Sequence, residues 1–102
     1  MGRNHHVSLE KYAMSNSSDS LINRVYWFIN NKENYVVTYA KIRAGIIYHQ
    51  HLIDKIFYRS RHYFKYKYPQ EITRRLKNRR KELSRALNAL DKYMNSLVRS
   101  VK

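Results

Sequence analysis

A leucine stands at every seventh position in the last third of the chain, and this repeat constrains the fold more than any other feature. The four leucines are Leu76, Leu83, Leu90 and Leu97. A second series, four residues after each leucine, consists of Arg80, Leu87, Met94 and Val101. Residues at alternating steps of four and three form one stripe along an α-helix, as in the seam of a coiled coil. The repeat therefore predicts a long helix, over about 69–101, that buries this stripe against a partner.

A second stripe with the same spacing precedes the leucine repeat. It consists of Tyr39, Ile42, Ile46, His49, Ile53, Ile56, Ser60 and Tyr63. This periodicity predicts another helix, over about 36–66. Pro69 separates the two helices, because proline ends one helix and suits the first turn of the next. Helices joined by a short connection pack as antiparallel neighbours, so we expect the two stripes to face each other in a hairpin.

The N-terminal part of the chain is predicted to add one shorter helix, over about 20–31. Its apolar residues at helical spacing are Leu21, Ile22, Val25, Phe28 and Ile29. Residues 35–38 favour β-structure and are either a short extended piece or the first turn of the next helix. Residues 1–19 end in a cluster of Ser, Asn and Asp that competes with helix, and are expected to form a flexible arm. The fold class is therefore all-α: a small helical bundle built on a long antiparallel helix hairpin, with one domain over 20–102.

The chain is strongly basic. It contains 21 Lys and Arg but only seven Asp and Glu, which gives a formal charge of +14. Eleven of these cations lie between Lys55 and Lys81, where Glu71 is the single acid. A helix face that is merely solvated mixes both signs of charge. Uncompensated positive charge of this density indicates a polyanionic ligand, above all a nucleic acid whose phosphates the cations neutralise.

The aromatic residues fall into two groups. The group expected in the core, because of its helical spacing, consists of Tyr26, Trp27, Phe28, Tyr35 and Tyr39. The other group is interleaved with cations near Pro69, where two or three rings are expected to face the ligand and to stack on bases.

These cations and rings predict a surface that grips the phosphate backbone of RNA or DNA. The predicted contact residues are Lys55, Arg59, Arg61, Lys65, Lys67, Arg74, Arg75, Lys77, Arg79, Arg80, Lys81, Tyr58, Tyr66 and Tyr68. No catalytic residue, metal ligand or cofactor site is predicted. The chain has no Cys, no Gly-rich phosphate loop and no pair of carboxylates at a spacing typical of catalysis.

Size and charge balance resemble those of the small helical subunits of nucleoprotein machines, such as ribosomal proteins, packaging proteins and the small subunits of CRISPR effector complexes. The resemblance implies a non-enzymatic subunit that contacts other proteins as well as nucleic acid. No apolar run reaches the roughly 20 residues that span a bilayer, so a cytoplasmic location without a membrane partner is expected, with the nucleoid as a further option. The leucine seam leaves two arrangements open, a homo-oligomer and packing within the chain.

Narrower patterns give alternative functions. Residues 38–44, 45–47 and 49–63 resemble the first helix, the turn and the recognition helix of helix-turn-helix proteins, which implies a dimeric DNA-binding transcription regulator. Arg43 and His49, separated by five residues, resemble the Arg–His signature of the HEPN ribonucleases, which implies RNA cleavage without a metal. Residues 74–101 resemble the basic-region leucine zippers in outline but lack their Asn-x-x-Ala-Ala motif. A protein-interaction module is a further alternative.

Overall fold

The structure, a computed structural model, describes residues 16–62 and 70–101. Side chains are not described at 16, 17, 59–62, 100 and 101. Three α-helices make up the described chain: α1 (Asn16–Asn30), α2 (Val36–His62) and α3 (Gln70–Val101). All regular structure in these two ranges is helical, so the predicted all-α bundle is confirmed. Residues 1–15 of the predicted arm lie outside the described residues. Residues 63–69, which include the end of the predicted second helix and the hairpin tip around Pro69, also lie outside them.

α2 and α3 form the predicted antiparallel hairpin. Tyr39, near the start of α2, donates a hydrogen bond of 2.7 Å to Asp91 in the second half of α3. Asp54, near the end of α2, accepts one from Arg80 in the first half of α3. The contacting positions therefore rise along α2 as they fall along α3.

α1 lies against both long helices and runs parallel to α3. Asp19 in its first turn pairs with Arg79. Phe28 near its end makes an edge-to-face contact with Tyr93, with ring centroids 5.7 Å apart. Because residue numbers rise along both helices, the three helices form an up-down-up bundle.

The apolar stripes of α2 and α3 meet in the core, as their periodicity predicts. The fully buried side chains include Ile46, Ile53 and Ile56 of α2, and Leu76, Leu83 and Leu90 of α3. Leu97 is partly buried against the same cluster. The leucine seam is therefore used within the chain, and a homo-oligomer built on it would require α3 to leave the bundle.

α2 is continuous through Gly45, so the helix-turn-helix interpretation, which needs a turn at 45–47, is wrong. A Cβ atom on Gly45 would lie 3.0 Å from Cδ2 of Leu21. Glycine therefore lets α1 approach α2 closely, which offsets its poor helix propensity of about 1 kcal/mol. Residues 36–38 are helical: the N–H of Tyr39 donates to the carbonyl of Tyr35 at 3.0 Å, the first hydrogen bond of α2.

α1 starts before the predicted position at about residue 20, and its end is followed by a residue in the left-handed backbone conformation. α1 begins at Asn16 and not at Ser20, because the polar cluster supplies its first turn and Asp19 complements the helix dipole there. α1 ends in a Schellman motif, in which the N–H of Glu33 donates to the carbonyl of Phe28 at 3.0 Å. Lys32 occupies the left-handed position of this motif, with φ of 52°.

The prediction that the first group of aromatic residues lies in the core is only partly correct. Phe28 is fully buried and Tyr39 packs against the core. Tyr26, Trp27 and Tyr35, in contrast, are 42%, 60% and 69% exposed. Tyr26 and Trp27 widen the apolar face of α1 beyond the part that α2 and α3 cover, and Tyr35 lies in the connection between α1 and α2.

Candidate nucleic-acid interface

Four ion pairs use most of the acidic side chains among the described residues. They are Arg24–Glu33, Arg43–Asp91, Arg79–Asp19 and Arg80–Asp54. The first ties α1 to the connection that follows it, and the other three join two helices. Because each pair is locally neutral, the net positive charge of the chain is carried by other side chains.

Two predicted contact residues, Arg79 and Arg80, belong to these pairs. Arg79 pairs with Asp19, and only 16% of its side chain is exposed. Arg80 donates to both carboxylate oxygens of Asp54 at 2.7 and 3.0 Å, and this lowers the pKa of Asp54. Both arginines therefore hold α3 against its neighbours. No local pattern predicts this role, because their partners are 60 and 26 residues away.

The largest basic feature is a line of exposed side chains along α3, which we call the α3 outer stripe. It consists of Arg74, Asn78, Lys81, Arg85, Asn88, Lys92, Asn95 and Arg99. Steps of four and three separate its members, and at 100° per residue they lie on the side of α3 opposite the buried leucines. No acid stands between Arg74 and Arg99 on this line, and Glu82 and Asp91 each lie about 90° away around the helix. The same spacing, continued towards the start of α3, reaches Glu71, an exposed acid three residues before Arg74.

Three cations of the stripe, Arg85, Lys92 and Arg99, were missing from the predicted contacts. The prediction followed charge density, which falls after Lys81. The period of the helix was the better signal, because the same steps of three and four that place the leucines inside place these cations outside. The stripe thus continues almost to the end of α3 and covers about 37 Å at 1.5 Å per residue.

A shallow groove of about 410 Å³ lies between α2 and α3 beside the stripe. It is lined by Phe57, Lys77, Arg80, Lys81, Ser84 and Arg85. Three cations, Lys77, Lys81 and Arg85, thus surround one aromatic ring together with Arg80, which is paired with Asp54. Phe57 packs against the core. A groove of this composition can hold an anionic group between the charged heads and an apolar group against the ring and the side-chain stems.

The remaining predicted contact residues lie on other parts of α2 and α3 or outside the residues that the structure describes. Arg74, Lys77 and Lys81 come together on one side of α3, where they line a second shallow pocket with neighbouring polar residues. Arg75 is exposed on α3 but is not part of the stripe. Lys55 and Tyr58 are exposed on α2 and do not line the groove. The structure does not describe the side chains of Arg59 and Arg61, nor any part of Lys65, Tyr66, Lys67 and Tyr68.

The two residues of the ribonuclease alternative do not face one open site, although Arg43 lines a shallow pocket on α2. His49 is 2% exposed, and its burial, with a smaller effect of the Arg79 charge, lowers its pKa. Arg43 contacts Asp91 through Nε at 3.2 Å. Tyr39 donates to the same carboxylate, which raises the tyrosine pKa. Arg43 thus belongs to a cluster that joins α2 to α3, while His49 belongs to the core.

None of the three helices combines the length and apolar character needed to cross a bilayer. Comparison with protein-family models, curated proteins and solved structures gives no match. The function is therefore inferred from the arrangement of charge and shape described above.

Proposed function

We propose that this protein is a non-enzymatic nucleic-acid-binding protein that holds the phosphate backbone of its ligand with the α3 outer stripe and the adjoining groove. The observation that carries the proposal is the stripe itself, in which five cations and no acid lie on one line of α3 from Arg74 to Arg99. A face that served only solubility would contain acids as well.

The physical basis of binding is the release of counterions from phosphates. Each cation that neutralises a phosphate releases condensed counterions, so affinity falls as salt rises. If the five stripe cations each contact one phosphate, log K should fall against log salt with a slope of about −4 to −5. The asparagine side chains add neutral donors to phosphate and sugar oxygens, which fix position without adding charge.

The test is a salt titration of binding to labelled nucleic acid of mixed sequence, with Lys92→Glu as the variant. We expect Lys92→Glu to weaken binding about tenfold at low salt and to reduce the salt slope by about one. Lys41→Glu is the matched control, because it makes the same charge change at an exposed position of α2. It should weaken binding less than about threefold. Equal effects of the two variants, or no binding at all, would contradict the proposal.

The proposal includes a role as a subunit of a larger nucleoprotein complex. The supporting observation is a set of exposed apolar side chains around the α1–α2 connection: Trp27, Tyr35, Val36 and Val37 are each at least 60% exposed. Such residues mark protein contact sites when they are grouped. These side chains are not on α3, so another protein can cover them while the stripe holds nucleic acid.

The complex can be tested by sizing the native protein from its source after nuclease digestion. A subunit should remain in a particle larger than a monomer, and Trp27→Ser should release it. Migration as a monomer once the nucleic acid is removed would contradict the subunit role but not the nucleic-acid binding.

A further inference from the structure

The exposed side of α3 carries no aromatic ring. Its single aromatic residue, Tyr93, packs against Phe28 and donates to the carbonyl of Glu33 at 2.7 Å. Phe57, beside the stripe, is partly buried against the core. Proteins that hold single strands combine cations with rings on which unpaired bases stack. Within the described residues, α3 therefore presents the charge that a phosphate backbone requires, without a ring for unpaired bases on its exposed side.

The stripe is also straight and regularly spaced. It lies on one 32-residue helix, and its lysines and arginines recur at intervals of about 6 to 10 Å along the axis. A flexible single strand does not need a rigid line of charge, because it can follow cations on any surface. A duplex is itself rigid, and its phosphates are met by groups held in fixed positions.

The width of α3 favours B-form DNA among duplexes. An α-helix with its side chains is about 10–12 Å across, and the major groove of B-DNA is about 12 Å wide. The major groove of A-form RNA is too narrow for side chains to read. The side of α3 opposite the buried leucines is free of α1 and α2, as a helix that enters a groove must be.

The residues in the middle of the stripe are of the types that contact DNA from within the major groove. Asn88 is exposed between Arg85 and Lys92, at steps of three and four. An asparagine that points to the floor of the groove can pair with the N6 and N7 atoms of adenine, while flanking cations contact phosphates on either side.

We propose that the ligand is double-stranded DNA and that α3 lies in its major groove, with Asn88 towards the bases. This inference rests on the proposed function and names the ligand of the same stripe. It differs from the helix-turn-helix interpretation, because the helix in the groove is α3 and not the second half of α2.

The first experiment compares binding of the full chain to four probes of one mixed sequence: duplex DNA, duplex RNA and the two corresponding single strands. A length of about 16 base pairs exceeds the 37 Å of the stripe at 3.4 Å per base pair. We expect duplex DNA to bind at least about tenfold more tightly than the other three. Equal or tighter binding of a single strand or of duplex RNA would overturn the inference and leave the proposed function intact. Failure to bind any probe would overturn both.

The second experiment tests the groove. Duplex DNA with glucosylated hydroxymethylcytosine, which fills the major groove, should bind at least about fivefold more weakly, whereas a minor-groove polyamide should have little effect. Asn88→Ala should weaken binding about threefold or more without changing the salt slope, because no charge is lost. Asn23→Ala, at an exposed position of α1, is the matched control and should bind as the unchanged protein does. Competition by the polyamide, or equal effects of the two asparagine variants, would place α3 outside the major groove.

Discussion

Lys32 is a residue whose backbone conformation suits glycine better than lysine. Its φ of 52° lies in the left-handed region, where a Cβ atom costs roughly 1–2 kcal/mol. Lys32→Gly should therefore raise the free energy of unfolding by about 0.5–1 kcal/mol, after the greater freedom of glycine in the unfolded chain is subtracted. Denaturant unfolding measures this change. Lys32→Ala removes the charge but keeps Cβ, so a similar gain from Lys32→Ala would show that charge and not conformation is responsible.

His49 makes the stability of the bundle depend on pH. Burial lowers its pKa below the usual 6.5, so the folded protein favours the neutral ring and the unfolded chain binds the proton more readily. The contribution of His49 to the free energy of unfolding is fully present above about pH 6.5 and is lost as the pH falls towards the folded pKa. The free energy of unfolding changes by at most about 1.4 kcal/mol per pH unit in this range. Unfolding of the unchanged protein and of His49→Leu between pH 7.5 and about 5 tests this. Parallel curves would contradict it.

At the residue scale, the sequence predicts which side chains are buried but not which distant side chains form pairs. The burial of Leu83 and Ile53 follows from periodicity, because a helix brings every third or fourth residue to the same face. The pairing of Arg79 with Asp19 does not follow from any local pattern, since it requires the position of α1 relative to α3. Arg85, Lys92 and Arg99 could have been predicted, because the period that buries the leucines also places these cations on the opposite side.

At the scale of elements, the contact between α1 and α2 depends on Gly45. A Cβ atom there would already touch Leu21, so Gly45→Leu should separate the helices and lower the free energy of unfolding by about 1–3 kcal/mol. Leucine is a good helix former, so the loss cannot come from helix propensity. Ala44→Leu, at the exposed neighbouring position, is the control and should change stability by less than about 0.5 kcal/mol. Thermal unfolding followed by circular dichroism distinguishes the two.

The elements also show why the fold was more predictable than the site. Both long helices and their antiparallel order follow from the two stripes and Pro69, each visible within a few turns of sequence. The start of α1 at Asn16 was missed, because a Ser- and Asn-rich segment favours a cap or a loop until tertiary packing supplies the rest. The site was predicted as one surface around the hairpin tip. In the structure, Lys55 and Tyr58 lie on α2 and do not line the groove, while Arg74 and Lys81 line a separate shallow pocket on α3.

At the scale of the whole molecule, the four ion pairs leave the remaining positive charge without local compensation. Within the stripe, Lys81 and Arg85 are four residues apart and repel each other at about 0.2–0.5 kcal/mol. The other neighbouring cations of the stripe are seven residues, or about 10 Å, apart. Salt screens this repulsion over about 10 Å at 0.1 M. We therefore expect the melting temperature to rise between about 0.02 and 0.3 M sodium chloride, because repulsion within the chain outweighs the surface ion pairs.

The effect of the stripe on stability can be separated from that of the other charges with a variant in which Gln replaces four cations: Lys81, Arg85, Lys92 and Arg99. At low salt the free energy of unfolding of this variant should be higher by about 0.5 kcal/mol, and its melting temperature should change less with salt. It should also bind nucleic acid far more weakly, because the cations that destabilise the folded protein are the ones that bind phosphate. A variant that is less stable at low salt would mean that these side chains stabilise the bundle by packing, and that the excess charge of the chain is tolerated without a polyanion.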